Sequence, residues 1–198
     1  MGRRSDHSRD ELRAMALEAA GDIVKAEGIQ KLSARAVANR IGYSAGTLYL
    51  IFHNLDDLIS ALNALTVAGL RARIEAVARA TADPRDRIRA IAHEYLFDSV
   101  KEPELFRLAF EHTAGPGSPV PGPIAAETGT IVEIAVNTIG ELLPDADRRS
   151  CTLLAAVLWS SVHGICHLGL TNKLEIVGRL TAEAVLDRQV EVFLDGIS

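Results

Sequence analysis

Ser44, Thr47 and Tyr49 place three hydroxyl groups within six residues, and Ala45 and Gly46 between them carry almost no side chain (GYSAGTLY, residues 42–49). In the first turn of a helix, such hydroxyls join the unpaired backbone N–H groups of the helix end. Together they have the chemistry of phosphate binding. Small side chains also let the helix backbone come close to nucleic acid, and the N-terminal residues of such a helix read base edges in the major groove. A helix this short is marginal in water and must be held by packing. Val37, Ile41, Tyr43, Leu48 and Ile51 are spaced to face inward, and Ala38 is small enough for two helices to cross over it. Gly42 supplies the positive φ of a tight turn. The pattern predicts two short helices, about 34–41 and 45–51, joined as a helix-turn-helix, with Ala34, Arg35, Ser44, Ala45, Gly46, Thr47 and Tyr49 outward. A plain helical hairpin in an all-α core is the alternative reading of the same spacing.

The elements that must position this pair are helical as well. Period-two runs of Val, Ile and Thr are nearly absent, and helix-spaced apolar stripes run almost throughout. Ser8 and Glu11 form a capping box for a helix over about 8–27, striped by Leu12, Ala16, Ala19, Ala20 and Ile23, which Gly28 can end. Ser33 and Ser44 can cap the two short helices. Asn54 and Asp57 open a fourth helix to about 80, and Pro84 begins a fifth, to about 100. A sixth covers 102–112. The stretch TAGPGSPVPGP, residues 113–123, is the one clear linker. A seventh helix runs about 124–142, an eighth 146–170 and a ninth 178–196. The eighth is the most apolar, with Leu153, Leu154, Val157, Leu158, Val162 and Ile165, and so wide an apolar girth predicts burial on several sides. The expected fold class is all-α, about nine helices, with a three-helix head over 1–53 and a helical body over 54–198.

Composition sets the outer bounds. Of 198 residues, 48% are hydrophobic and 24% charged, which suits one or two ordinary globular domains. No run of eighteen apolar residues occurs, and no apolar stretch follows the arginines of MGRRSDHSRDEL. Neither a membrane span nor a secretory leader is expected, and the cytoplasm is the expected compartment. Residues 1–53 hold eight Lys and Arg against six Asp and Glu; the remainder holds thirteen against twenty. A weakly basic head on an acidic body suits a head that meets phosphate. Cys151 and Cys166 would lie about 22 Å apart along one helix and cannot bridge within the chain. Enzyme motifs are missing. His93-Glu94 lacks the second histidine of a zinc-protease helix, and no Gly-x-Ser-x-Gly elbow, phosphate loop or dinucleotide fingerprint is present. An enzyme is not expected.

Leu32-Ser33 through Leu58-Ile59 resembles the DNA-binding head of the tetracycline-repressor (TetR) family. The residues that carry the likeness are Ser33, Val37-Ala38, Gly42-Tyr43-Ser44, Gly46-Thr47-Leu48-Tyr49, Phe52 and Asp56-Asp57-Leu58. Nine helices in this order are similar to the family over the whole chain, and WSSVHGI, residues 159–165, resembles the Trp-His-Gly body motif of one TetR subgroup. The resemblance implies a DNA-binding transcriptional regulator that represses a near-palindromic operator and is released by a small apolar effector. On the matching positions it implies that Ser33 and Arg35 lie near phosphate and groove edge. Ser44, Ala45, Gly46, Thr47 and Tyr49 would form the recognition helix, Tyr49 on phosphate, with His53 near the DNA backbone. Two positions depart from the pattern: Ile51, where the family often has Tyr or His, and Leu55, where it often has Lys. Each lost ionic contact takes about 0.9 from the salt slope of binding. The head then leans on Arg3, Arg4 and Arg9, or binds more weakly.

The same resemblance implies a body that dimerises through the last two helices and holds a small-molecule pocket. A two-fold dimer sets its recognition helices about 34–36 Å apart, one turn of DNA. The fourth helix, joining head to body, is the expected lever between them. Pockets are mostly apolar with a few polar groups, and Tyr95, Phe106, Phe110, Trp159 and His163 are the candidates to line one. Trp159, His163 and His167 fall at i, i+4 and i+8, a stripe that also reads as core or dimer packing. His163 and His167 have the spacing of a two-histidine metal site, but no third ligand is near, and neither a metal nor another cofactor is expected. The competing function is a ligand-binding or metal-sensing helical dimer with weak or lost DNA binding.

Overall fold

The computed structural model describes residues 7–112 and 120–197. Among them are nine α-helices and no strand. The helices are α1 (Arg9–Glu27), α2 (Ala34–Arg40), α3 (Ala45–Tyr49), α4 (Leu55–Ala80), α5 (Pro84–Lys101), α6 (Pro103–Glu111), α7 (Gly122–Leu142), α8 (Arg148–Leu170) and α9 (Ala182–Gly196). Single 3₁₀ turns lie at Ile29–Lys31 and Lys173–Ile176. The all-α class read from the sequence is the class observed.

Most helix starts have a local cause. The Ser8 hydroxyl accepts from the Glu11 amide at 3.2 Å while the Glu11 carboxylate accepts from the Ser8 amide at 2.6 Å, a complete capping box. Ser33, Asp83, Asp147 and Thr181 each accept from the third residue of the helix that follows. Ahead of α4, Asn54 Oδ1 accepts from the Asp57 amide at 2.8 Å and Asp57 accepts in turn from the His53 amide at 3.0 Å. Four boundaries differ from expectation by two residues or more. α7 begins at Gly122, inside the stretch read as a linker, and α8 begins at Arg148, after the Asp147 cap. α3 stops at Tyr49 because the next amides close on carbonyls three residues back, Leu50 to Thr47 and Ile51 to Leu48. α9 begins at Ala182, not near 178: Gly178 stands at φ 147° and Thr181 supplies the cap.

The chain folds as two compact units, residues 1–66 with 104–124 and residues 67–103 with 125–198. The first unit thus gathers the start of α4 and nearly all of α6 around residues 1–53. Its core contains Ala16, Ala20, Ile23 and Val24 from α1, Val37 and Ala38 from α2, and Leu48 from α3. Ile51 and Phe52 follow, then Leu58 and Leu62 from α4, and Leu105 and Leu108 from α6. Arg13 lies over the Phe52 ring at 4.7 Å, and the Asn63 amide donates to the Leu108 carbonyl at 3.0 Å, tying α4 to α6.

In the second unit α5, α8 and α9 pack on one another. Ile88, Ala92, Ala155, Leu158, Val162, Leu186, Val190 and Leu194 are buried there, with Leu70 and Ile74 from α4 and Val136 and Ile139 from α7. Arg85–Asp195, Arg89–Glu191 and His93–Asp187 pairs, at 2.8 to 3.1 Å, run along α5 and α9. All are partly exposed and screened by solvent; the apolar contacts hold the unit. By length and composition alone α8 would pass as a membrane span, although Ser160, Ser161, His163 and Gly164 interrupt its apolar sequence.

Candidate functional site

In the first unit, α2 and α3 pack through Val37, Ala38 and Leu48, all buried. Gly42 turns the chain between them at φ 77°. Ser44 caps α3: its Oγ accepts from the Thr47 amide at 3.2 Å and lies 3.0 Å from Thr47 Oγ1. The two hydroxyls therefore hold the first turn of the helix as well as facing its open end. Ala45 and Thr47 are half-buried and Gly46 is exposed. Tyr49, 55% exposed, stands at the last position of the helix. Ser33, Arg35 and His53 are exposed on the same unit. Tyr43, in the turn, accepts or donates a 2.7 Å hydrogen bond with His7 Nδ1, so the residues just ahead of α1 are fastened to the turn. Arg4 lies outside the described residues.

Ile51 and Leu55 answer the question of the departed positions. Ile51 is buried, and Leu55 packs against the same core. Both side chains therefore serve packing of the first unit. Leu50, 75% exposed beside Tyr49, is the residue that reading the sequence missed. Its only sequence signal is an apolar residue one place off the inward stripe.

In the second unit, α5, α7 and α8 line a partly open cavity of about 40 Å³. Ile91, Ala92 and Tyr95 line it from α5, Ile131, Val132 and Ala135 from α7, and Ala155, Leu158, Trp159 and Val162 from α8. Tyr95 Oη is 2.9 Å from His163 Nδ1 and accepts from Trp159 Nε1 at 3.3 Å. The Trp159 and His163 rings lie tilted by 35° to each other with centroids 5.7 Å apart. Burial holds the Tyr95 phenol well above its ordinary range, so it stays protonated. The structure thus brings together Tyr95, Trp159 and His163. Phe106 and Phe110 are 4.8 Å from each other but belong to the first unit. Both cysteines are free and buried. Desolvation pushes the Cys166 thiol up to about 11. Among the described residues no three His, Cys, Asp or Glu side chains gather as a metal ion would need. The lining residues Ile91, Ile131, Val132 and Ala135 carried no signal in the sequence, where they look like any core position.

Residues 88–193 match the family described as Tetracyclin repressor-like, C-terminal domain, and residues 16–62 match Bacterial regulatory proteins, tetR family. The chain belongs to the TetR family. It is a transcriptional regulator with a DNA-binding helix-turn-helix and a ligand-binding C-terminal domain. Solved structures of similar fold include a protein with unknown function from Rhodococcus sp. RHA1 (TM-score 0.80, 21% identity, 98% of each chain covered). A second is FadR from Bacillus subtilis in complex with stearoyl-CoA (TM-score 0.74, 15% identity, 93% of this chain and 99% of that one). A third is a transcriptional regulator of the TetR/AcrR family from Thermobifida fusca YX-ER1 (TM-score 0.65, 19% identity, 94% and 98%). No curated protein matches the chain. Leu50 stands exposed beside Tyr49, just past the end of α3.

Proposed function

We propose that this regulator binds a near-palindromic operator as a homodimer, represses by occupying it, and leaves it when a small apolar effector fills the cavity of the second unit. The observation that carries the DNA half is α3: a capped helix start with small residues, ending in an exposed Tyr49. Ser44, Ala45, Gly46 and Thr47 then approach base edges and phosphate; Tyr49, Ser33, Arg35, His53 and Arg4 contact the DNA backbone and groove edge. We assign the body to the Trp-His-Gly subgroup on Trp159, His163 and Gly164.

The homodimer reading is supported by apolar surface. Leu153, Val157 and Leu168 are exposed along one side of α8, and Val192 is exposed on α9. A second copy packed on the last two helices would cover them. The effector half is supported by the apolar cavity wall, and FadR, a neighbour of similar fold, holds stearoyl-CoA. An effector releases DNA only if it binds the DNA-incompetent state better. α4, which supplies residues to both units, is the connection through which the difference is passed.

The test is a gel shift on DNA flanking the protein's own gene at two salt concentrations. Specific, salt-sensitive retardation that Tyr49→Ala weakens about tenfold is the expected result. A folded protein that binds this DNA no better than unrelated DNA, at either salt, would count against the proposal.

A further inference from the structure

The cavity of the second unit narrows what can fill it; the inference rests on reading that unit as the effector domain. Among the described residues no Lys, Arg, Asp or Glu lines it. A carboxylate or phosphate drawn inside would lose its water and meet no cation, which is strongly unfavourable. The polar groups at the wall are the Tyr95 hydroxyl and the Trp159 N–H. An indole N–H only donates. The Tyr95 oxygen accepts it at 3.3 Å and lies 2.9 Å from His163 Nδ1, so the hydroxyl is engaged on both sides. Trp159 therefore occupies an acceptor site on Tyr95.

Size points to the same residue. An apolar cavity of about 150 Å³ admits benzene, and this one measures about 40 Å³. A ligand of benzene size or larger that is to be covered by protein must displace part of the wall. Leu158, Val162, Ile131 and Ile91 are buried, whereas Trp159 is 36% exposed. The indole is the lining side chain most open to solvent and can swing toward it, and its N–H can then be hydrated.

The geometry points to an uncharged aliphatic alcohol as the ligand class: its chain enters the space beside Trp159, and its hydroxyl donates to Tyr95 in place of the indole N–H. Trp159 is the gate and Tyr95 the specificity-determining residue. A ketone or ester has no donor to offer the Tyr95 oxygen, and a carboxylate carries charge into an apolar wall.

Trp159 is the one tryptophan of the chain, so its fluorescence reports the gate directly. The full-length protein is titrated with 1-octanol, 2-octanone and octanoate at neutral pH. The expected result is a saturable red shift with octanol, with 2-octanone about fivefold weaker and octanoate at least about tenfold weaker. Tyr95→Phe removes the acceptor and brings octanol down to the level of 2-octanone. Should that variant fail to fold by circular dichroism, the octanol-to-octanone ratio of the unaltered protein decides alone. Octanoate binding as tightly as octanol, octanone matching octanol, or no shift with any probe up to its solubility limit would each overturn the inference. Operator gel shifts in parallel separate the two readings. Octanol that binds with this selectivity yet leaves operator affinity unchanged removes the effector proposal and keeps the ligand class. Release by another compound, with octanol inert, does the reverse.

Discussion

Arg35 and Ile51 show how single positions in the head divide the work. Arg35 is exposed at the start of α2, and Ile51 is 9% exposed in the core. Arg35→Ala is expected to lower the salt slope of operator binding by about 0.9 while leaving stability nearly unchanged. Ile51→Ala is expected to do the opposite. It should cost about 2–4 kcal/mol in denaturant unfolding through the cavity it leaves, with an unaltered salt slope for the folded protein. Cys166 gives a pH dependence of definite sign. Its thiol is held up at about 11 against an ordinary value of 9.0, so the folded state keeps a proton that the unfolded chain releases. The contribution is fully present below about pH 9 and is lost as pH rises toward 11, about 3 kcal/mol in all. Unfolding measured at pH 8 and pH 10.5 should show the loss, and Cys166→Ser should flatten it.

At the scale of the element, the helix-turn-helix depends on two backbone devices. Gly42 holds φ 77°, and a Cβ there would meet nothing within 4 Å. Gly42→Ala is therefore expected to destabilise by about 1–2 kcal/mol through backbone strain alone. Ser44→Ala removes the cap of a five-residue helix and is expected to cost about 1 kcal/mol. It should also weaken operator binding further, because α3 has no other side-chain cap among the hydrogen bonds at its start. Thermal melts and gel shifts on both variants separate the loss of fold from the loss of grip.

The whole molecule adds a requirement that neither element meets alone. Reading a near-palindrome takes two recognition helices, hence two copies. If α8 and α9 form the contact, Leu153→Asp with Val157→Asp should yield a folded monomer in sedimentation equilibrium. Such a monomer should lose operator binding by far more than tenfold, since one half-site supplies only part of the affinity.

What the sequence by itself determined is local. Caps at Ser8, Ser33, Ser44 and Asn54, the turn at Gly42 and the apolar stripes each depend on residues within one or two turns of one another. The helices and the reading pair were legible for that reason. The inward place of Ile51 was legible too, from spacing, even though the family pattern suggested a phosphate contact there. Tertiary structure decided the rest. Tyr95, Phe106 and Phe110 look alike in the sequence, but the fold sends the first to the second unit and the other two to the first. Ile131, Val132 and Ala135 become a cavity wall only because α7 is brought against α5 and α8. Tyr95, Trp159 and His163 meet across 64 to 68 residues of chain. Contacts of that range are set by which helices pack together, and helix periodicity carries no information about the partner.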